Sequence, residues 1–417
     1  MMRCLFSLFL ALSLATPLYS AGRGEHWIAI WASAQQPLEG DTSLSAQALD
    51  GNTIRQIVRA SHAGRTLRIK ISNTFGDAPL VIDSIRIARS KAFGSTAIMG
   101  ASDRPVYFGG RARVAILAGA DYVSDPVDLP IVALAPVAIS FHVVSAPPHL
   151  TVHLASHATS YIAAGDVAAA GDLADPRPIE HWLQLAELDA LAPMADATVV
   201  AFGDSITDGT GSTLDGNDRW PDQLAARLQS RTTTRHFAVV DEGIGGNRVL
   251  RDGRGPAAMA RLDRDIWSLP GVRYVLLLEG VNDLGTLTQE GEVPVDQHRR
   301  FVERLTDAYA QIVAQAHMRN IRVYCGTIMP YGGFGKYHAD AMDEADRVAI
   351  NAWLRHPGHC DATIDFAAAM RDPDVPEHLR RDWDRGDGLH PNPAGYHAMA
   401  SIALSSFGHF TSKSSVR

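Results

Sequence analysis

The stretch that decides the fold is ATVVAFGDSITDG at residues 197–209, where an apolar run meets a block of glycine, aspartate and serine. The apolar run at 197–202 predicts a buried strand. Because Ser205 follows so closely, we expect its hydroxyl at the carboxyl end of this strand, where a neighbouring base would make it a nucleophile. A Gly-Asp-Ser pattern is equally typical of a helix cap formed by Asp204 and Ser205, so this block alone leaves its chemistry open.

Downstream of this stretch, apolar strands alternate with helices. Strands are predicted at 237–240, 274–278, 321–324 and 363–366, and helices at 220–228, 301–317 and 348–354. This alternation predicts a parallel sheet covered by helices on both faces. In such sheets the functional groups gather at the carboxyl ends of the strands.

Upstream, the pattern changes to period two. Leu67, Ile69 and Ile71 alternate with basic residues, which is typical of a half-buried strand. Several short strands separated by glycine and proline predict an all-β sandwich, similar to a jelly roll. We therefore divide the chain into a β-sandwich accessory domain at 22–165, a linker at 166–195 that is rich in alanine, glycine, aspartate and proline, and an α/β domain at 196–417.

The N-terminus has the pattern of an export signal. Residues 1–21 combine Arg3, an uncharged apolar run at 5–15, and the small residues Ser20 and Ala21. The apolar run is too short to span a bilayer, and no later stretch is long and apolar enough, so we expect a secreted or periplasmic protein without a stable membrane span. Cys325 and Cys360 would remain in the mature chain, either as a disulfide or as two buried thiols.

Composition limits the classes of partner. The 417 residues include 38 basic and 46 acidic side chains, a formal net charge of −8. This balance argues against a protein that binds nucleic acid through its phosphates, but it allows a small-molecule or polysaccharide substrate.

Three further blocks carry side chains suited to catalysis. Asp387 and His390 are spaced so that the carboxylate can fix the tautomer of the imidazole. The glycine-rich block at 243–247 can offer a backbone N–H to a ligand, and Asn282 follows the third strand of the α/β half, where its amide can donate to an alkoxide. Each block alone is also typical of an ordinary turn.

Taken in this order, the blocks make the chain resemble the SGNH/GDSL hydrolase family over about residues 198–407. The resemblance implies a flavodoxin-like three-layer α/β/α fold and a serine esterase without a cofactor. It implies Ser205, Asp387 and His390 as catalytic residues, and Ser205, Gly246 and Asn282 as the oxyanion hole, although Gly245 competes with Gly246 for this role. Export together with a second domain favours short acyl groups, such as acetyl groups on carbohydrate, as the substrate.

Other functions remain open from the sequence. A lipase or lysophospholipase acting on lipid esters is the nearest alternative, and a catalytically inactive carbohydrate-binding protein is another. A glycosidase would use Asp204 and Asp387 as its two carboxylates. His153 and His157 could bind a metal, but hydrogen-bonded or surface histidines are far commoner, and we assign no metal ligands from the sequence.

Overall fold

A computed structural model of the chain describes residues 24–40 and 44–411, with side chains described as far as residue 406. The export signal expected at 1–21 lies outside these residues. None of the helices described there is long and apolar enough to cross a membrane.

The N-terminal half is built from antiparallel strands. A short helix, α1 (Ala46–Leu49), and a 3₁₀ turn (Gly100–Ser102) lie among them. The strands are β1 (Glu25–Ala32), β2 (Gln36–Pro37), β3 (Asn52–Arg59), β4 (Gly64–Ser72), β5 (Leu80–Arg89), β6 (Arg104–Pro105), β7 (Val114–Ile116), β8 (Asp121–Val123), β9 (Val127–Ile131), β10 (Pro136–Ser145), β11 (Thr151–His153), β12 (Ser160–Ala164), β13 (Arg177–Ile179), β14 (Trp182–Leu183) and β15 (Leu185–Pro193).

These strands form two large sheets and one small one. The first large sheet has the order β1-β15-β4-β8, with β9 also on β4, and the second has the order β13-β12-β3-β10-β5-β6, with β7 on β5. Strands β14, β11 and β2 form the small sheet. Apolar side chains from both large sheets share one buried cluster, because alternate residues of each strand face inward. The prediction of an all-β N-terminal half is confirmed.

The prediction of a linker at 166–195 is wrong. Residues 177–193 of this segment form β13, β14 and β15, and β15 lies between β1 and β4 in the first sheet. The acidic residues of β15 hid this strand, because they are paired across the sheet: Glu187 forms an ion pair with Lys70, and Asp189 with Arg68 at 2.8 Å. Only residues 194–196 connect β15 to the first strand of the α/β half.

The C-terminal half alternates strands with helices. Its strands are β16 (Ala197–Gly203), β17 (Phe237–Gly243), β18 (Val272–Leu278), β19 (Arg322–Gly326) and β20 (Ala362–Ile364). Its helices are α2 (Ser205–Asp208), α3 (Trp220–Gln229), α4 (Ala258–Leu262) continuing into a π-helical turn (Asp263–Trp267), α5 (Val281–Gly285), α6 (Val295–His317), α7 (Ala341–Arg355), α8 (Phe366–Met370), a 3₁₀ turn (Arg381–Trp383) and α9 (Pro393–Thr411).

The five strands of this half form a parallel sheet in the order β17-β16-β18-β19-β20. This is the flavodoxin-like order, in which the second strand lies outside the first. The α/β prediction is therefore confirmed. Because β17, β16 and β18 are neighbours, the segments that follow Gly203, Gly243 and Leu278 leave the same edge of the sheet side by side.

Some boundaries differ from the sequence prediction. Helix α7 begins at Ala341, seven residues before the predicted start at 348, because Asp340 and Asp343 form a capping box that the apolar pattern does not reveal. Helix α6 likewise begins at Val295 rather than at 301. Cys325 and Cys360 are joined in a disulfide, the first of the two states left open by the sequence.

The two halves pack directly against each other. Ala29 and Ala32 of β1 belong to the hydrophobic core of the α/β half. At the same seam, the Val239 N–H donates to Ser61 Oγ at 3.1 Å, and the Thr198 hydroxyl donates to the carbonyl of Ala29 at 3.0 Å. The β-rich half is thus a packed neighbour of the parallel sheet rather than a tethered module.

Candidate active site

Three side chains from two distant parts of the chain form a hydrogen-bonded series. His390 Nε2 lies 2.9 Å from Ser205 Oγ, although 185 residues separate them, and His390 Nδ1 lies 2.7 Å from Asp387 Oδ2. Because the carboxylate accepts from Nδ1–H, Nε2 is left to accept the serine proton. Ser205 begins α2, whose N-cap is Asp204, so the cap interpretation holds for Asp204 and not for Ser205. A serine beside a base held in this way can act as a nucleophile.

The loop before α9 fixes the carboxylate. Asp387 Oδ1 accepts the backbone N–H groups of Leu389 and His390 at 3.0 and 2.9 Å. Partial burial would raise the pKa of Asp387, but the hydrogen bonds from the ring and backbone of His390 and from Leu389 hold it well below its usual range. The carboxylate therefore stays ionised in mild acid and keeps the imidazole in one tautomer.

Donors from the three adjacent strand ends surround the serine. The Asn282 amide donates one hydrogen to the carbonyl of Asn247 at 2.8 Å, which leaves its second hydrogen available. Within the part of the chain that the structure describes, the backbone N–H groups of Ser205 and Gly246 have no partner. Such unpaired donors at the mouth of a parallel sheet suit an oxyanion.

The glycine-rich block at 243–247, called the glycine segment below, distinguishes the two candidate donors that the sequence left open. The Gly245 N–H donates to Asp208 Oδ2 at 2.9 Å and is therefore occupied. Gly246 has φ of +77°, a conformation that only glycine adopts without strain. The geometry thus favours Gly246 over Gly245 as the free donor.

A family comparison agrees with this geometry. The model of the GDSL-like Lipase/Acylhydrolase family matches residues 201–398, which run from β16 into α9. Residues 201–398 belong to this family. The GDSL domain is therefore a hydrolase of carboxylic esters, and the recognition made from the four sequence blocks is confirmed.

Solved structures similar to this chain each align with about half of it. A GDSL-like lipase from Bacteroides thetaiotaomicron is 17% identical, with 50% of this chain and 86% of that chain covered and a TM-score of 0.37. An acetylxylan esterase from Geobacillus stearothermophilus is 18% identical, with 50% and 93% covered and a TM-score of 0.37. The acetyl xylan esterase AlAXEase is 22% identical, with 50% and 98% covered and a TM-score of 0.37. No curated protein sequence matches this chain.

The segment at 331–338 lies over the GDSL site. The Phe334 ring meets the His390 ring edge-on, with centroids 6.0 Å apart. The Tyr337 hydroxyl donates to Asn282 Oδ1. Burial raises the pKa of Tyr337 to about 12, so the phenol keeps its proton at neutral pH. Tyr337 therefore holds the amide oxygen of Asn282, while the amide nitrogen donates to the Asn247 carbonyl.

Arg261 supports the GDSL site from beneath. Its fully buried guanidinium donates to Asn247 Oδ1 at 3.0 Å and to the carbonyls of Glu242 and Gly203 at 2.8 and 2.9 Å. These contacts join the ends of β16 and β17 to the residue whose carbonyl holds Asn282. Arg261 thus fixes the spacing between the serine turn and the glycine segment.

The carboxylates of the glycosidase alternative are engaged elsewhere. Asp204 is 1% exposed, and its Oδ1 accepts the Ile206 N–H at 2.9 Å. Burial raises the pKa of Asp204 to about 7. Asp387 is bonded to His390. Neither group is free to flank a glycosidic bond.

Metal binding finds little support in the residues described. His153 is bonded to protein oxygens through both ring nitrogens, and His157 forms no cluster with it. Asp83, His142 and Asp166 in the β-rich half lie close enough to share an ion. Within this group, His142 Nδ1 lies 2.8 Å from Asp83 Oδ1, and Asp166 Oδ2 accepts the Ser84 hydroxyl at 2.6 Å.

Sequence reasoning missed the supporting residues. Tyr337, Arg261 and Asp208 hold other groups of the site in place. Tyr337 and Arg261 lie outside the four blocks, and Asp208 lies inside the first block, where sequence reasoning assigned it no role. Asp208 in the first block was a visible signal, because a second acid directly after the serine turn must be paired when buried. Tyr337 and Arg261 carry no such signal.

We expect the Tyr337→Phe variant to lose turnover without losing substrate binding. Removing one hydrogen bond of about 1 kcal/mol frees the Asn282 amide to rotate, so kcat for p-nitrophenyl acetate should fall about fivefold while KM stays nearly constant. Steady-state kinetics at neutral pH measure both.

Tyr331→Phe is the matched control for this substitution. Tyr331 lies in the same segment, and its buried hydroxyl has no hydrogen-bond partner among the described residues. Its loss should leave kcat unchanged. Equal kinetics for the Tyr337→Phe variant and the wild type would show that Tyr337 does not orient Asn282.

Proposed function

We propose that this protein is an exported serine esterase that removes short acyl groups, such as acetyl groups, from carbohydrate through an acyl-enzyme on Ser205. The observation that carries the proposal is the 2.9 Å contact between Ser205 Oγ and His390 Nε2 beside three unpaired donors. Ester hydrolysis itself follows from the family.

Acylation requires the serine to lose its proton as it attacks. His390 Nε2 takes the Ser205 proton while Oγ bonds to the ester carbonyl carbon, and the carbonyl electron pair moves to the oxygen. The resulting oxyanion accepts from the N–H groups of Ser205 and Gly246 and from the Asn282 amide. His390 then gives its proton to the leaving alcohol, and the C–O bond breaks.

Deacylation repeats these steps with water. His390 takes a proton from water, the hydroxide attacks the acyl carbon, and the same donors hold the second oxyanion. The acid leaves as Ser205 regains its proton from His390. Asp387 stabilises the imidazolium that forms in both stages, since its carboxylate stays ionised.

The enclosure of the serine supports a small acyl group. Ser205 is 6% exposed and His390 is 9% exposed. Phe334 lies against the His390 ring, and Tyr337 covers Asn282. A long acyl chain would need this segment to move aside, whereas an acetyl group needs far less space.

A cleft beside the same segment, with charged side chains in its lining, supports a hydroxylated alcohol. This cleft of about 460 Å³ includes Asp340, Glu344, Glu377 and His378 in its lining. Glu377 and His378 are exposed, so their side chains can hydrogen-bond to sugar hydroxyls, whereas a lipid chain would cover them without offering a partner. The cleft borders Gly332, two residues before Phe334, so it lies beside the segment that contacts His390.

Two features support the proposal that the protein is exported. Residues 1–21 have the composition of a signal peptide. The disulfide between Cys325 and Cys360 is of a kind that persists in oxidising compartments.

We expect Asn282→Ala to lower kcat by about 10²–10³-fold with little change in KM, which is the usual effect of losing one oxyanion donor. Steady-state hydrolysis of p-nitrophenyl acetate measures this. Asn52→Ala, which removes an amide that donates to the Ala48 carbonyl in the β-rich half, is the control and should keep full activity. Unchanged hydrolysis by the Asn282→Ala variant would remove this side chain from the mechanism.

A substrate panel tests the acyl group and the alcohol together. With p-nitrophenyl acetate, butyrate, octanoate and dodecanoate, kcat/KM should fall at least about tenfold between acetate and octanoate, because the enclosed site excludes longer chains. Acetylated xylo-oligosaccharides should release acetic acid faster than a lysophospholipid releases fatty acid. Preference for dodecanoate and the lysophospholipid would favour a lipase or lysophospholipase. Binding of glycan without release of acid would favour a catalytically inactive carbohydrate-binding protein.

Edman sequencing of the mature protein tests export. In a bacterial host with an intact secretion system, we expect the protein outside the cytoplasm, with its first residue shortly after Ala21. A protein retained in the cytoplasm with Met1 intact would contradict this.

A further inference from the structure

One buried carboxylate joins the glycine segment of the GDSL domain to the β-rich half. Asp208 closes α2, three residues after Ser205, and is 1% exposed. Its Oδ2 accepts the Gly245 N–H at 2.9 Å, and its Oδ1 lies 3.0 Å from His153 Nε2. His153 belongs to β11 of the β-rich half. Three parts of the molecule therefore meet at the Asp208 side chain: the turn that carries Ser205, the glycine segment and the β-rich half.

The contacts of His153 indicate a doubly protonated ring. Nδ1 faces the Ala34 carbonyl at 2.8 Å, and Nε2 faces the Asp208 carboxylate. A carbonyl oxygen can only accept, and an ionised carboxylate can only accept, so both nitrogens must donate. Burial lowers the pKa of His153, but the Asp208 charge and the hydrogen bonds to Asp208 and Ala34 outweigh it and raise this pKa overall.

The other charges near this pair have their own roles. Arg219 forms ion pairs with Asp222 at 2.6 Å and with Asp241 at 3.1 Å, and it lies over the Trp182 ring. Asp241 raises the pKa of His153 further. In the part of the chain that the structure describes, His153 is the one side chain that hydrogen-bonds to Asp208.

His157 also lies near the pair. Burial lowers the pKa of His157, and Arg219 and the His153 ring lower it further, whereas Asp208 raises it. A neutral His157 adds no charge that would replace the imidazolium of His153.

The glycine segment rests closely on Asp208. A Cβ on Gly243 would lie 2.2 Å from the Asp208 backbone nitrogen, and one on Gly245 would lie 3.3 Å from Asp208 Oδ2. A shift of the carboxylate would therefore move Gly245 and, with it, the Gly246 N–H. Oxyanion donors act only when they lie within about 2.7–3.1 Å of the oxyanion, so this N–H depends on the place of Asp208.

We propose that His153 is a positioning residue for ester hydrolysis: its imidazolium holds Asp208, which holds Gly245 and so aims the Gly246 N–H at the oxyanion. This inference rests on the proposed acyl-enzyme mechanism at Ser205. It gives the β-rich half a part in catalysis that an added binding module would not have.

His153→Phe tests the proposal, because it keeps a ring packed against Trp182, whose centroid lies 5.3 Å away, and removes both N–H donors. We expect kcat for p-nitrophenyl acetate to fall about 10–100-fold, the cost of a misplaced catalytic group, with KM changed less than about twofold. His153→Gln, which can still donate to Asp208, should recover most of the lost kcat.

His157→Asn is the matched control at the same seam. His157 has φ of +47°, which asparagine tolerates, and its buried Nε2 has no hydrogen-bond partner within the described residues. This variant should keep the wild-type kcat. Wild-type kcat in a folded His153→Phe variant, or an equal loss in the His157→Asn variant, would overturn the proposal.

Two further measurements keep the outcomes separate. Ser205→Ala should abolish turnover; if it does while His153→Phe has the wild-type kcat, only the inference about His153 fails, and if Ser205→Ala stays active, the proposed function fails. If His153→Phe does not fold, ¹⁵N spectra of histidine-labelled wild type decide, with the His153 signal assigned from the His153→Gln variant. Both ring nitrogens should be protonated at neutral pH, and a neutral His153 ring would overturn the proposal.

Discussion

The parallel pairing of β16 with β17 on one side and β18 on the other is the constraint on which the site depends. Its register places Gly203 opposite both Gly243 and Leu278, so three chain segments leave the sheet at one level. The serine turn, the glycine segment and the Asn282 helix follow at once and have little freedom to diverge. Asp283 strengthens this, because its carboxylate accepts the N–H groups of Val249 and Leu250 at 2.7 and 3.0 Å. The sheet therefore sets the geometry of the donors before any substrate arrives.

Much of the α/β half could be predicted because its signals are local. An apolar run followed by Gly-Asp-Ser specifies a strand and what lies at its end, and Asp387 with His390 is a pattern complete within one turn. The β15 strand could not be predicted in the same way, since Glu187 and Asp189 are stabilised by cations on another strand. Such a strand is stabilised by partners distant in sequence, whereas its own composition is typical of a loop. The start of α7 was missed for a related reason, because its capping box depends on the side-chain geometry of Asp340 and Asp343.

The same distinction applies to the site. The residues proposed to touch the reacting atoms lie in recognisable blocks, whereas the residues that hold them in place are scattered along the chain. Tyr337 reaches Asn282 across 55 residues, and His153 reaches Asp208 across 55 residues. Only three residues lie between the last strand of the β-rich half and β16, and the two halves are packed against each other rather than joined by a hinge. An accessory half packed in this way can support the residues of an oxyanion hole.

Covalent labelling tests the central claim, that His390 activates Ser205 for attack on an acyl group. A fluorophosphonate probe followed by peptide mass spectrometry should place one adduct on the peptide containing Ser205, at a rate that collapses in the His390→Ala variant. An adduct on another residue, or labelling of Ser205 that proceeds equally fast without the imidazole, would contradict the account.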